Sequence, residues 1–207
     1  MFNFINLIFP KKVNISKKQI TKLLENRNFY FKKEKTISFL PYQNKLIKNL
    51  FYNFKFKKQP KIAKIFSEIL FENLPEVLEY LYIQENFSDP VLIPIPISFL
   101  RKISRSYNQN NLILKEFQKL GGNKFVKIEK NILFKIKHTK PQTKMKNKKE
   151  RKENIKNSFF LFNAKKLKNK NIIIFDDIKT TGSTLIEAER ILKKAKPKKI
   201  LFLTIAQ

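Results

Sequence analysis

Apolar residues fall into two kinds of pattern along this chain. Short apolar runs rich in isoleucine, valine, leucine and phenylalanine occur at 91–95, 172–175 and 200–205, and a further strand is expected near 126–134. Runs of that length with no alternating polar positions fit strands of a parallel sheet buried on both faces. Between and before them, apolar residues recur at helical spacing. Tyr42, Leu46, Ile47, Leu50, Phe51 and Phe54 mark one amphipathic helix, and Ile62, Ile65, Phe66, Ile69 and Leu70 a second, with Pro60 between them. Leu112, Ile113, Glu116 and Phe117 suggest a third, and Leu185, Ile186, Ala188, Ile191, Leu192 and Ala195 a fourth. Strands alternating with helices predict an α/β domain, a mostly parallel sheet with helices on both faces, and the first helix pair covering one side.

The most informative strand is the one at 172–175, because it runs directly into a cluster of acids and hydroxyls. Asp176 and Asp177 close the apolar run, and Thr180, Thr181, Gly182, Ser183 and Thr184 lead into the fourth helix, whose first turn Ser183 or Thr184 can cap. Loops at the carboxyl ends of parallel strands hold ligands in open α/β sheets. A helix N-terminus offers unpaired N–H groups and a partial positive charge to a phosphate. Gly182 permits a positive φ and a close backbone approach. The two carboxylates can accept hydrogen bonds from sugar hydroxyls, or bind Mg²⁺ already held by a phosphorylated ligand. A Walker A loop needs Gly-Lys-Ser/Thr, which is absent, so the Asp-Asp pair has no partner loop as a Walker B element.

Taken together, Asp176 to Thr184 resemble the ribose-phosphate-binding fingerprint of type I phosphoribosyltransferases. Further stretches narrow the resemblance. Pro94-Ile-Pro96 leads into Arg101, Lys102, Arg105, Ser106, Tyr107, Asn108 and Gln109; later come Lys140-Pro-Gln-Thr143 and a segment with Arg151, Asn154 and Phe159. In this order the segments are similar to the ComF family, and the likeness covers roughly residues 42–207. Ser106 stands where that family usually has glycine, and Tyr107 where it has phenylalanine. The resemblance implies a type I phosphoribosyltransferase-like domain over 41–207. It also implies that Asp176 and Asp177 meet the ribose hydroxyls, Thr180 to Thr184 the 5′-phosphate, and Arg101, Lys102 and Arg105 the diphosphate of phosphoribosyl pyrophosphate, with Mg²⁺ carried by that ligand. From the residues alone, the arginines suit phosphate through bidentate hydrogen bonds or belong to a solvated basic turn, and Asn108 and Gln109 suit a helix cap equally well.

Composition changes the picture in three ways. Lys and Arg number 45 against 16 acids, a formal charge of +29 that favours polyanions; the abundance of Lys, Asn, Ile and Phe also matches AT-rich codon usage. Lys144, Lys146, Lys148, Lys149, Arg151 and Lys152 concentrate that charge between residues 140 and 156, where eight basic residues face two glutamates. This segment is either a loop closing over a site, a contact for a nucleic-acid backbone, or a solvated charge run. His138, the single histidine, is given no catalytic role. There is no cysteine, which excludes disulfides and cysteine-based metal sites. ComF proteins commonly carry a four-cysteine zinc module, so no zinc is expected here. Residues 1–40 are instead read as a small N-terminal appendage whose aromatic rings pack together or stack on single-stranded bases. The apolar 1–10 stretch precedes Lys11 and Lys12, the reverse of a secretory signal, and is too short to span a bilayer.

The expected location is therefore the cytoplasm, with the inner face of the cytoplasmic membrane as the place where the resemblance puts it. The resemblance implies a protein of natural transformation that binds phosphoribosyl pyrophosphate or a related ribose phosphate. It would handle incoming single-stranded DNA, with competence machinery such as a helicase or membrane channel as further partners. Two alternatives stay open: a true transferase passing the phosphoribosyl group to a nucleobase or other nitrogen nucleophile, and a general nucleic-acid-binding protein with a vestigial loop. No segment of the sequence names a base-reading pocket.

Overall fold

A computed structural model describes residues 35–57, 59–98, 100, 103, 106–137 and 154–207. The N-terminal stretch 1–34 lies outside the described residues, as do Arg101, Lys102, Arg105, His138 and the six candidate basic residues from Lys144 to Lys152.

Seven strands and four α-helices are described. In chain order they are β1 (Thr36–Leu40), α1 (Lys45–Phe56), α2 (Ile62–Glu85), β2 (Val91–Pro94), α3 (Gln109–Lys119), β3 (Lys127–Ile128), β4 (Leu133–Lys135), β5 (Phe159–Leu161), β6 (Asn171–Ile178), α4 (Ser183–Leu192) and β7 (Lys199–Ala206). Five strands form one sheet in the order β1-β7-β6-β2-β3, every neighbouring pair parallel. The strands β4 and β5 make a separate antiparallel ribbon.

Strand parity explains why the runs carry no polar alternation. On β6, Ile173 and Phe175 enter one core together with Leu92, Leu203 and Ile205, beneath α1, α2 and α3. The intervening Ile172 and Ile174 enter a second core with Val91, Ile93, Ile200 and Phe202, beneath α4 and the β4–β5 ribbon. Both faces are covered, so every position from Asn171 to Phe175 is buried. Helices on both faces of a parallel sheet match the expectation.

Three local readings change. The stretch 126–134 is not one strand: β3 extends the main sheet beside β2, whereas β4 leaves it for the ribbon. The second helix runs on to Glu85, past Pro75, because Leu74, Val77 and Leu81 continue the buried stripe where the sequence reading stopped at Leu70. Residues Thr36–Leu40, grouped with the appendage by the division at residue 40, form the edge strand β1 and pair with β7.

Candidate functional site

The carboxyl ends of β2 and β6 lie side by side, with Pro94 opposite Phe175 and the Ile95 N–H donating to the Phe175 carbonyl at 2.8 Å. Two motifs distant in sequence, Pro94-Ile-Pro96 and Asp176-Asp177, thus meet at one edge of the sheet. The proline pair ends β2 there, since Pro96 has no N–H to continue a ladder. The chain then returns in α3, whose N-cap Asn108 accepts from the Asn111 N–H at 3.4 Å. The capping role read for Asn108 is the one observed.

Ser106, in the glycine position of the resembled box, adopts φ +68°. The left-handed turn is kept although a side chain makes it costlier, by about 1–2 kcal/mol. Tyr107 packs on Phe54 with ring centroids 5.6 Å apart, and its hydroxyl donates to the Phe54 carbonyl. That anchor holds the turn against α1.

The two acids differ sharply. Asp177 has the parity of Ile173 and Phe175, is 5 % exposed, and meets Lys55 of α1 across 2.9 Å. Its Oδ2 is buried with no hydrogen-bond partner among the described residues. Asp176 is half-buried. It accepts from Asn110 Nδ2 at 2.9 Å, and the same amide group donates to the Ile95 carbonyl at 2.9 Å. Burial, and then the neighbouring Asp177 carboxylate, push the Asp176 carboxyl up to about 6; the Asn110 hydrogen bond and Lys55 pull the other way. Sequence reasoning treated the pair as equivalent, but only Asp176 offers a carboxylate not committed to an ion pair.

Beyond β6 the chain turns into α4. Gly182 occupies the N-cap with φ +72°, so the capping position falls on a glycine rather than on Ser183 or Thr184. Ser183 instead shares a hydrogen bond with Thr181, their hydroxyl oxygens 3.1 Å apart. Thr180 is exposed, Thr181 and Thr184 half-buried, and Ser183 buried. A side chain on Gly182 would be strained by the φ, and its Cβ would sit 3.2 Å from Cε of Lys179. Lys179 itself is an anchor: its Nζ donates to the Thr36 hydroxyl at 2.9 Å, and its backbone N–H to the Ala206 carbonyl at 2.9 Å. The turn is thereby tied to both β1 and β7.

The opposite flank of α4 holds the end of the basic segment. Glu187 accepts from the Asn157 N–H at 2.7 Å and pairs with Arg190 at 2.8 Å, while Arg190 also donates to the Asn157 side chain at 2.9 Å. The Arg190 hydrogen bond holds the Glu187 carboxyl below the usual range.

Lys55 and Asn110 were missed by sequence reasoning. Asn110 adjoins the Asn108-Gln109 box and its position in the first turn of α3 was a usable signal; Lys55 is one of 45 basic residues and carried none. Two cavities, of about 570 and 670 Å³, are lined by residues at the other ends of the strands, such as Thr36, Lys199 and Val91, and include neither acid nor the 180–184 turn. Among the described residues no cluster of three or more His, Cys, Asp or Glu side chains exists that could hold a metal ion. No described helix is long and apolar enough to cross a membrane. With two adjacent carboxylates, a divalent ion at this edge would take most of its oxygen ligands from a bound diphosphate and water, which suits Mg²⁺.

Comparison with known proteins fits this geometry. Residues 91–207 match the phosphoribosyl transferase domain. Competence protein F of Haemophilus influenzae is 33% identical over 106 residues, covering 50% of this chain and 44% of that protein, so the match spans less than half of the relative's length. Among solved structures, an adenine phosphoribosyltransferase from Leishmania tarentolae superposes with a TM-score of 0.42 at 12% identity, covering 83% of this chain and 91% of that one. A hypoxanthine phosphoribosyltransferase from Staphylococcus aureus gives 0.36 at 15%, covering 67% and 62%. Both superpositions are loose. The family match covers more than half of the chain, includes both acids and the 180–184 turn, and agrees with the parallel sheet that positions them: the chain belongs to the phosphoribosyl transferase domain family.

Proposed function

We propose that this protein binds phosphoribosyl pyrophosphate, or a related ribose phosphate, at the carboxyl edge of β6, and that it serves in DNA uptake during natural transformation. The observation that carries the proposal is the junction of β6 and α4. There a half-buried carboxylate with a raised pKa stands shortly before a hydroxyl-rich turn and a helix whose N-cap is a glycine. Asp176 would accept from the ribose hydroxyls. The N–H groups and hydroxyls of Thr180 to Thr184 would surround the 5′-phosphate, where the helix dipole favours an anion. Asp177, held by Lys55, would fix the strand end and add negative charge rather than bind sugar directly. Arg101, Lys102 and Arg105 follow the β2 strand end and would take the diphosphate. Mg²⁺ bound to the diphosphate would neutralise part of its charge.

The similarity to competence protein F supports the second half of the proposal, together with the charge of +29. Single-stranded DNA would be held largely through phosphates, Lys144, Lys146, Lys148, Lys149, Arg151 and Lys152 among the contacts, at the cytoplasmic side of the membrane. Competence proteins such as a helicase or a channel would be its neighbours there. Affinity for the strand would then fall steeply with salt.

Calorimetric titration of phosphoribosyl pyrophosphate with Mg²⁺ into the wild type and into Asp176→Asn tests the site. Asp176 alone is changed because removing Asp177 would also strip Lys55 of its partner. Saturable binding, lost in the variant, is the expected result; absence of binding by folded wild type overturns it. Incubation of labelled phosphoribosyl pyrophosphate with a panel of nucleobases distinguishes a ligand-binding protein, which forms no product, from a transferase.

A further inference from the structure

The β4–β5 ribbon has an unusual outer face. Its inner residues Leu133 and Phe159 are buried against the sheet, with Leu161 packed beside them. The alternate positions point the other way and carry Phe134, Ile136, Phe160 and Phe162, which are 41, 67, 51 and 57 % exposed. Phe134 stands directly opposite Phe160. Phe134 and Phe162 are edge to face, with ring centroids 6.4 Å apart and an interplanar angle of 83°. The register is pinned beyond the strands by Ile136 N–H to Ser158 and Phe162 N–H to Ile132, at 2.9 and 2.8 Å. A two-stranded ribbon with charges on its open face would be the ordinary way to protect such an element; three exposed phenylalanines together are not.

The sequence that carries the ribbon is as one-sided in charge as the face is apolar. Between residues 130 and 170 the described residues include Lys130, Lys135, Lys137, Lys156 and four lysines from Lys165 to Lys170, and no acid. Lys137, Lys156, Lys165, Lys166, Lys168 and Lys170 are exposed. Flat rings bordered by flexible cations match a polymer with flat faces and a regular negative charge, whereas an acidic protein groove would leave the rings without planar partners.

We infer that the outer face of the β4–β5 ribbon is a stacking platform for single-stranded nucleic acid. Unpaired bases lie on Phe134, Phe160 and Phe162 while the flanking lysines meet the phosphates. The inference rests on the reading of the protein as one that handles DNA, and gives that reading a surface separate from Asp176 and the 180–184 turn. Stacking on the rings requires bases released from pairing with a complementary strand, so the platform selects single strands over duplex without reading sequence.

Fluorescence anisotropy of the full chain with labelled oligodeoxythymidine and with a matching duplex, over a salt series, tests it. The variant Phe134→Ala/Phe160→Ala/Phe162→Ala is expected to weaken single-strand binding roughly ten- to a hundredfold while leaving the salt dependence and duplex binding unchanged, since no phosphate contact is removed. The chain has no tryptophan, so Phe160→Trp introduces one indole, whose emission the oligonucleotide is expected to quench; this readout stands even if the triple variant does not fold. Unchanged single-strand affinity in the folded triple variant, or unquenched indole at saturating oligonucleotide, overturns the inference. So does a triple variant that loses self-association or binding to anionic vesicles but keeps its affinity for the strand. A wild type that binds no single strand overturns both this inference and the DNA-handling reading; a wild type that binds, with an unaffected triple variant, overturns the platform alone.

Discussion

The two faces of the sheet differ in how many aromatic residues they bury. Beneath α1, α2 and α3, Phe51, Phe54, Phe66, Phe87 and Phe117 are fully buried, and Phe51 stacks on Phe66 with centroids 4.7 Å apart. Beneath α4 and the ribbon the core is almost entirely aliphatic, built from Ile172, Ile174, Leu185, Ala188, Ile191 and Leu192. Of the aromatics on that side Phe159 and Phe202 are buried, whereas Phe134, Phe160 and Phe162 point outward from the ribbon. Where rings are buried they supply packing; the exposed layer on the ribbon adds little to stability, which leaves it free for the stacking proposed above. The same division runs through the acid pair. Asp177 faces the aromatic side and is committed to Lys55, whereas Asp176 stands at the strand end and accepts from the neutral amide of Asn110.

The contrast is sharpest when one ring from each layer is removed. Phe66→Ala empties a fully buried site that contacts Phe51 and Phe54 and should cost about 3–5 kcal/mol, whereas Phe160→Ala on the exposed face should stay within about 0.5 kcal/mol. Urea denaturation of the two variants would measure both, and equal losses would dissolve the distinction between the faces.

Lys55→Met should destabilise by about 3 kcal/mol at neutral pH, because it leaves the Asp177 carboxylate buried without its counter-charge. Adding Asp177→Asn should recover most of that loss. A double-mutant cycle with no coupling between the two positions would mean that the ion pair does not hold the strand end.

Asp176→Asn should act in the opposite direction. Because its carboxyl is pushed up to about 6 from an ordinary value of 3.8, the folded protein binds a proton more readily than the unfolded chain. Stability therefore falls as pH rises through that interval, and the ionised form is a burden above it. The amide variant should be more stable than wild type by roughly 1–3 kcal/mol at pH 7 to 8, with the advantage vanishing below about pH 4. Thermal melts across that range would show it; a variant less stable than wild type at neutral pH would place Asp176 among the structural acids, beside Asp177.

The α/β class, the β2, β6 and β7 strands, and the order of acids, threonines and glycine around α4 were legible because each is a local pattern. Burial on both faces leaves an unbroken apolar run, and a turn that approaches a helix N-terminus leaves its glycine and hydroxyls in fixed order. The division of residues 126–134 between sheet and ribbon was not legible. The polar residues Glu129, Lys130 and Asn131 mark a break within that stretch, but they do not say that β3 and β4 have different partners, and a short strand looks alike in either sheet. Nor could β1 be separated from the sequence preceding it, since its place is decided by the hydrogen-bonding edge of β7, about 160 residues further along the chain.

By itself, then, the amino-acid sequence determined that two acids, a glycine and a row of hydroxyls would gather between a strand end and a helix start. Only the tertiary structure decided that Lys55 takes Asp177, that Asn110 takes Asp176, and that Lys179 is spent on Thr36 rather than left for a ligand. It also decided that Phe159 is buried while Phe160 is exposed. The reason is the same in each case. A charge or ring is assigned its role by what lies within a few ångströms of it, and in a parallel sheet those neighbours arrive from distant segments across the strand ends.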